Sequence, residues 1–398
     1  MPNDNRHFAI VVKPVGSLCN LRCSYCYYMG KQTVPGGAVM NDAVLERYIQ
    51  QVVAIHGKHA EIEFAWHGGE PTLAGIEFYQ RALALQAKYA TDRRVLNTLQ
   101  TNGTLLNDAW CTFFKDHDFR IGISIDGPER LHNAYRKDIH GEGTFRQVMR
   151  GVELLQKHGV PYNTLTTVNA VNQDFGAEVY AFMRSISNYM QFLPVVECLE
   201  NSEAVSQSMG LSKGTNSMPV ALPPGITSPD VNKPRQFAPF NVSPQGYGRF
   251  LCDVFDAWYS ADVGRKFVQI IEATVGNMMR KPAGLCVHEA VCGHCAVVER
   301  AGDVYRCDRF VFDQYKVGNV MQTPLADMME SSRAFGEYKL ESLPAACLHC
   351  DVVDLCFGGC PKDRLIERLT LYGVERRNYL CEGYKQFFTK VKAQMTKG

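Results

Sequence analysis

Two spacings of apolar residues alternate along the first half of the chain. Short runs, apolar throughout or at every second position, give way to longer stretches with apolar residues every three or four positions. The short runs at 8–12, 61–66, 95–100, 120–125, 162–168 and 190–196 predict six strands. Asn41 suits a helix N-cap, and Val44, Leu45, Tyr48, Ile49, Val52 and Val53 follow it at helical spacing. Residues 76–89, 107–117, 144–157 and 175–186 predict four more helices. Strands alternating with helices form a parallel sheet with right-handed crossovers. The expected fold class is α/β, and six units fit a curved, partial (β/α)6 barrel better than the closed barrel of eight.

The pattern changes near residue 201. Ser, Pro, Gly and Asn dominate 201–241, including Leu222-Pro223-Pro224-Gly225 and Ser228-Pro229-Asp230, which predicts a long excursion over the surface or the active site. Residues 247–259 and 267–279 return to helical spacing. Residues 296–305 read as a β-hairpin turning at Ala301-Gly302-Asp303. With 398 residues, two or three domains are expected. We divide the chain into a barrel over 1–240 (the excursion filling 201–240), linking helices over 241–280, and a small cysteine-rich domain over 281–398 that ends in a helix.

Composition narrows the function classes. A hydrophobic share of 46% and a charged share of 21% are ordinary for a globular protein. A net charge of +1 supplies no field to recruit nucleic acid or an anionic membrane. The first residues, Met1-Pro2-Asn3-Asp4-Asn5-Arg6-His7, lack the apolar core of a signal peptide, and no window reads as a membrane span, so a cytoplasmic protein is expected. Fifteen cysteines are then too many for ordinary use, and a reducing compartment disfavours disulfides, which leaves metal. Cys111, Cys198 and Cys252 stand alone and read as small buried apolar residues.

The other cysteines are grouped. Cys19-x3-Cys23-x2-Cys26 follows the first strand. Three thiolates on a 4Fe–4S cubane leave one iron open to bind substrate or cofactor. The same three could make a zinc site with a distant His, or a plain surface group of thiols. Gly68-Gly69-Glu70-Pro71-Thr72, Asn102-Gly103 and Ser124-Ile125-Asp126-Gly127 also follow strand ends, where parallel α/β barrels collect their active sites. Asn102-Gly103 taken alone is turn punctuation. Near the other end of the chain, Cys286-x5-Cys292, Cys307, Cys347-x2-Cys350-x5-Cys356-x3-Cys360 and Cys381 supply eight thiolates for two further sites, iron–sulfur or structural zinc.

The N-terminal cysteine motif, with Tyr25 just before its third cysteine and Gly68-Gly69-Glu70-Pro71 after the second strand, resembles the radical S-adenosylmethionine (SAM) enzymes. The cysteine-rich second half resembles the SPASM auxiliary-cluster domain. The combination, from Cys19 to Leu380-Cys381-Glu382-Gly383-Tyr384, is most similar to the anaerobic sulfatase-maturating enzymes. The resemblance implies three 4Fe–4S clusters. Cys19, Cys23 and Cys26 would hold one, with SAM on its open iron. Cys286, Cys292, Cys307 and Cys360 would hold the second, and Cys347, Cys350, Cys356 and Cys381 the third. Cys295 is an extra thiol that either replaces Cys292 or lies beside that cluster. Gly68, Gly69, Glu70 and Pro71 would meet the SAM amino group, Ser124 and Asp126 its ribose and carboxylate, Arg136 or Arg146 its carboxylate, and Leu193-Pro194 its adenosine.

The resemblance also implies that Asp308, directly after Cys307, would be the catalytic base. The implied reaction removes a hydrogen atom from Cβ of a cysteine or serine in an unfolded sulfatase polypeptide and yields Cα-formylglycine. The electron donor would be a flavodoxin or ferredoxin. Two other functions fit parts of the pattern. One is another SPASM enzyme that forms thioether or carbon–carbon crosslinks in a small peptide. Such enzymes commonly carry a recognition domain ahead of the barrel, whereas few residues precede the first strand here. The other is a zinc-bound scaffold, which has no use for an open three-cysteine site.

Overall fold

The computed structural model describes residues 9–28, 38–57, 60–198, 237–370 and 373–396. Most of the predicted excursion, 201–236, lies outside the described residues. The six predicted strands form at β1 (Ala9–Lys13), β2 (Ile62–Trp66), β3 (Val95–Thr101), β4 (Arg120–Ser124), β5 (Tyr162–Val168) and β6 (Tyr189–Pro194). They pair in parallel in sequence order, with Val12 opposite Trp66, Trp66 opposite Leu99, Leu99 opposite Ile121, and Thr164 opposite Met190. Period-two alternation gives the sheet two different faces. Val12, Phe64, Trp66, Leu99, Ile121, Ile123 and Met190 are buried on one, under the crossover helices. Trp66 packs edge-on against Tyr48 of α1 (Asp42–Ile55) and against Phe78 and Tyr79 of α2 (Ile76–Tyr89). Residues one step out of phase, such as Gln100, Ser124, Leu165 and Leu193, line a cavity on the other face.

Local chemistry sets the helix starts. The Asn41 side chain accepts from Val44 N, and Asn107 accepts from Trp110 N at the start of α3 (Asp108–Asp116). The remaining barrel helices are α4 (Glu129–Tyr135), α5 (Phe145–His158) and α6 (Gly176–Ile186). The pattern had not indicated α4, which is two turns long.

Two elements differ from the expectation over 267–279 and 296–305. Phe267–Val268 form a seventh parallel strand, β7, beside β6, so the helix there, Gln269–Met278, begins two residues late. A two-residue strand running straight into a helix leaves no alternation to read. The hairpin forms as β8 (Cys295–Glu299) and β9 (Asp303–Tyr305), with Asp303 in the second strand rather than in the turn. Strand β8 also pairs in parallel with β1, Ala9 opposite Cys295 through Lys13 opposite Glu299. With β10 (Lys316–Asn319) the result is one ten-stranded sheet, β10-β9-β8-β1-β2-β3-β4-β5-β6-β7.

The second half closes over the barrel. Helix α7 (Pro244–Ala261) packs against the last described helix, Cys381–Met395, where Gly383 lies against the Pro244 carbonyl. Cys111, Cys198 and Cys252 are buried, as expected. Among the described residues, no helix is long and apolar enough to cross a membrane.

Candidate active site and cysteine clusters

The loop after β1 carries Cys19, Cys23 and Cys26 and is clamped from two sides. On one, Gly69 N donates to Gly16 O at 2.7 Å and Glu70 N to Leu18 O at 2.8 Å. Gly69 permits this approach, since a Cβ there would lie 2.0 Å from Leu18 O. On the other, Arg22 N donates to Lys137 O at 2.8 Å and Ser24 N to Tyr135 O at 3.1 Å, which brings Arg136 alongside. Asn102 adds a third tie, its Nδ2 donating to Asn20 Oδ1 at 2.9 Å and reaching Cys19 Sγ at 3.8 Å. Asn102-Gly103 is therefore more than a turn.

A cavity of about 410 Å³ opens above this loop, within the size range of small-molecule sites. Cys19, Cys23, Cys26, Tyr25, Gly68 and Gly69 line it. Ser124, Arg136 and Leu193 line its sides, while Leu285, His288, Asp308, Arg309 and Lys362 close it from the second half. Burial pushes the Cys19 and Cys23 thiols up to about 12, against the pull of Arg136 on Cys23.

Four predicted contacts stand off the cavity wall: Glu70, Pro71, Asp126 and Arg146. Glu70 is fully buried, and its carboxylate accepts from Thr72 N and Oγ1, Thr101 Oγ1 and Asn102 N. It braces the glycine loop. Pro71 begins the short helical turn behind it. Asp126 accepts from the Tyr25 hydroxyl and from Thr167 N, and pairs with Arg136 Nε at 3.1 Å. Arg146 pairs with Glu129 at 3.4 Å and its side chain is 88% exposed. Arg136 is thus buried at the cavity, and Arg146 is exposed away from it.

Asp308 enters the cavity from the second half. Its Oδ1 lies 2.5 Å from Lys13 Nζ, and its Oδ2 accepts from the Tyr27 hydroxyl at 2.6 Å. Burial alone would raise its pKa, but Lys13, then His67, and the bonds from Lys13 and Tyr27 hold it well below the usual carboxylate range. Lys13 is buried at the end of β1, its ammonium 3.3 Å from the centroid of the Tyr28 ring. Burial, then Lys13, lowers His67 to about 4 despite Asp308, so its imidazole is neutral at pH 7. Sequence reasoning missed His67 and Lys13. Each had a signal: a histidine before the double glycine, and a lysine closing an apolar strand.

The eight other grouped cysteines gather in two places. Cys286 is within electrostatic reach of Cys307, Cys360 and Cys292. Cys356 stands near Cys381 and Cys347, Cys381 near Cys350, and all four line a second, small cavity. Cys295 joins the first set through a hydrogen bond to Cys307; that bond and burial hold Cys295 well above the usual thiol range, while Cys307 is lowered.

Comparisons with known proteins bear on this arrangement. The Radical SAM superfamily matches residues 14–179, and the SPASM iron-sulfur cluster-binding domain matches 286–351. A serine-type anaerobic sulfatase-maturating enzyme of Bacteroides thetaiotaomicron is 40% identical over 97% of this chain and 90% of its own. The chain belongs to the anaerobic sulfatase-maturating enzymes. A cysteine-type member from Clostridium perfringens is 30% identical, over 96% of this chain and 95% of its own. The solved structure of native anSMEcpe with bound AdoMet and Cp18Cys peptide is 28% identical, covers 98% of each chain, and superposes with a TM-score of 0.79.

The donor set fits what a sulfatase-maturating enzyme of this family would hold. The cysteine loop places three thiols, bare glycine backbone and a buried arginine on one cavity, which suits an iron–sulfur cluster carrying SAM.

Proposed function

We infer that this chain converts a serine or cysteine of a sulfatase polypeptide to Cα-formylglycine, using SAM and iron–sulfur clusters. The observation that carries this reading is Asp308, held ionised in the same cavity as Cys19, Cys23 and Cys26. Cys19, Cys23 and Cys26 would hold the first 4Fe–4S cluster. The second would be held by Cys286, Cys292, Cys307 and Cys360, with Cys295 beside it, and the third by Cys347, Cys350, Cys356 and Cys381. Gly68 and Gly69 would present backbone to the SAM amino group, Arg136 would pair with its carboxylate, and Ser124 and Leu193 would flank the nucleoside. Bound there, SAM supplies a 5′-deoxyadenosyl radical able to take a hydrogen atom from Cβ.

The chain's own residues do the rest. The cavity walls hold Cβ of the target against the SAM end, which is chiefly positioning. Asp308 Oδ accepts the proton of the substrate hydroxyl or thiol as the carbon–heteroatom double bond forms, and Lys13 keeps that carboxylate ionised until then. The auxiliary clusters, held by the two cysteine sets, would supply the acceptor for the remaining electron. A serine becomes the aldehyde directly, and a cysteine becomes a thioaldehyde that water converts. We assign residues 1–240 to radical generation and 281–398 to electron handling, with 241–280 linking them. The external reductant is a flavodoxin or ferredoxin, and the compartment is the cytoplasm.

The test is anaerobic. Reconstituted protein is incubated with SAM, reductant and peptides containing Ser-x-Pro-x-Arg or Cys-x-Pro-x-Arg. Mass spectrometry then follows the peptide and 5′-deoxyadenosine. A loss of about 2 Da from the serine peptide, or about 18 Da from the cysteine peptide, is the balance for an aldehyde. Deoxyadenosine without either change would move the substrate to another peptide class.

A further inference from the structure

We propose that Lys339 and Arg364 are the built-in counter-charges of the two auxiliary clusters and set their reduction potentials. This rests on the cluster reading above. Lys339 lies in the last turn of the helix Leu325–Glu341 and is fully buried. Its ammonium donates to the carbonyls of Cys286 at 2.8 Å, Val287 at 3.0 Å and Glu289. Arg364 is 3% exposed. Its guanidinium donates to Ser342 O at 3.1 Å, Ser342 Oγ at 2.7 Å, Lys339 O at 2.8 Å and Phe357 O at 3.4 Å. Among the described residues, neither cation has a carboxylate partner; the neighbouring Asp363 is held by both Nη atoms of Arg309.

Two buried like charges joined through one carbonyl are costly without nearby negative charge. Thiols of both sets lie within electrostatic reach of them, with the His288 imidazole also near Lys339. Lys339 is within electrostatic reach of Cys292, Cys360 and Cys286 of the first set and of Cys356 of the other. Arg364 faces Cys360 and Cys292 of that set and Cys347 and Cys356 of the other. Arg364 therefore reaches both sets electrostatically, and Lys339 tethers the loop that begins at Cys286. A thiolate-ligated cluster gains a negative charge on reduction, and a fixed cation beside it favours the reduced form. That is what an acceptor for the substrate's electron needs. Neither residue stands out in the sequence, where an isolated lysine or arginine reads as a solvated surface cation.

The experiment is an EPR-monitored redox titration of the reconstituted full chain, with iron counted per protein. Lys339→Met should keep its iron and shift the cluster of Cys286, Cys292, Cys307 and Cys360 to lower potential, with a smaller shift at the other. Arg364→Gln should lower both, and Lys339→Arg should restore the wild-type value. Formylglycine made per deoxyadenosine should fall in the two neutral variants. Absence of auxiliary-cluster signals from the wild type would sink the cluster reading itself. Full iron with unchanged potentials would overturn the counter-charge alone. If both neutral variants fail to load iron while Lys339→Arg and Arg364→Lys load it, the clusters need the charge. Failure of all four variants overturns the proposal.

Discussion

Asp308 has an awkward task for a base. A carboxylate held far below its usual pKa is reliably ionised but a weak proton acceptor. The contacts that depress it are local: Lys13 at 2.5 Å and the Tyr27 hydroxyl at 2.6 Å. Each carboxylate oxygen keeps a further acceptor site for the substrate's proton. Asp308→Asn keeps the side chain's size and one acceptor oxygen and removes the basic carboxylate, so we expect the visible spectrum and deoxyadenosine formation to persist. Formylglycine should fall by roughly 100-fold or more, the usual scale for losing a positioned base. Product at the wild-type rate would show that the proton leaves by another route. At this scale the sequence was informative about residue type and silent about direction. Glu70 and Asp126 sit in the right loops, yet their carboxylates turn into the protein to satisfy backbone and side-chain donors. Arg136 and Arg146 were indistinguishable by spacing, and only burial separates them.

Two element contacts position the site, and each carries a prediction. The docking of the glycine loop onto the cysteine loop leaves no room for a methyl group at Gly69, because the obstacle is the Leu18 carbonyl rather than a flexible side chain. Gly69→Ala should push the loops apart, cost on the order of 1–3 kcal/mol, and suppress deoxyadenosine and formylglycine together. Loss of product with normal deoxyadenosine would contradict it.

The second contact is the pairing of β8 with β1, which sets Glu299 beside Lys13. Glu299 is fully buried, bonded to the Tyr28 hydroxyl through Oε1, with Oε2 lacking a hydrogen-bond partner. Burial, opposed by Lys13, pushes its pKa up to about 7. An unfolded glutamate ionises near about 4.3. Between those values the unfolded chain releases a proton that the folded chain retains, so stability falls as pH rises from about 4.3 to 7 and levels off above. Glu299→Gln should flatten that fall, worth on the order of 2–3 kcal/mol, in anaerobic thermal melts from pH 5 to 7.5. Parallel curves for both proteins would remove the basis for the shift. The strands themselves were legible because alternation is local. The β8–β1 pairing joins residues nearly 300 positions apart and leaves no local pattern.

For the whole molecule, the same sheet that generates the cavity also ties the cysteine-rich half to the barrel, so metal loss should be felt in both. Without iron, Cys286, Cys292 and Cys356 are pushed up to about 12, chiefly by burial, and exist as neutral thiols. Lys339 and Arg364 then stay buried with no anion to balance them. Burial of an uncompensated charge costs several kcal/mol, and the strain falls on the loop 286–289, only six residues before β8. Strand β8 carries the outer side of β1, and β1 leads into the Cys19–Cys26 loop. We therefore expect anaerobic chelation of iron to lower the melting midpoint by well over the few degrees that about 1 kcal/mol produces. Limited proteolysis should cut first between residues 281 and 365, with protection of the 19–28 loop weakening in the same step. A chelated protein with an unchanged midpoint and cleavage pattern would mean that the thiol groups fold as well empty as filled, and that the buried cations need no partner.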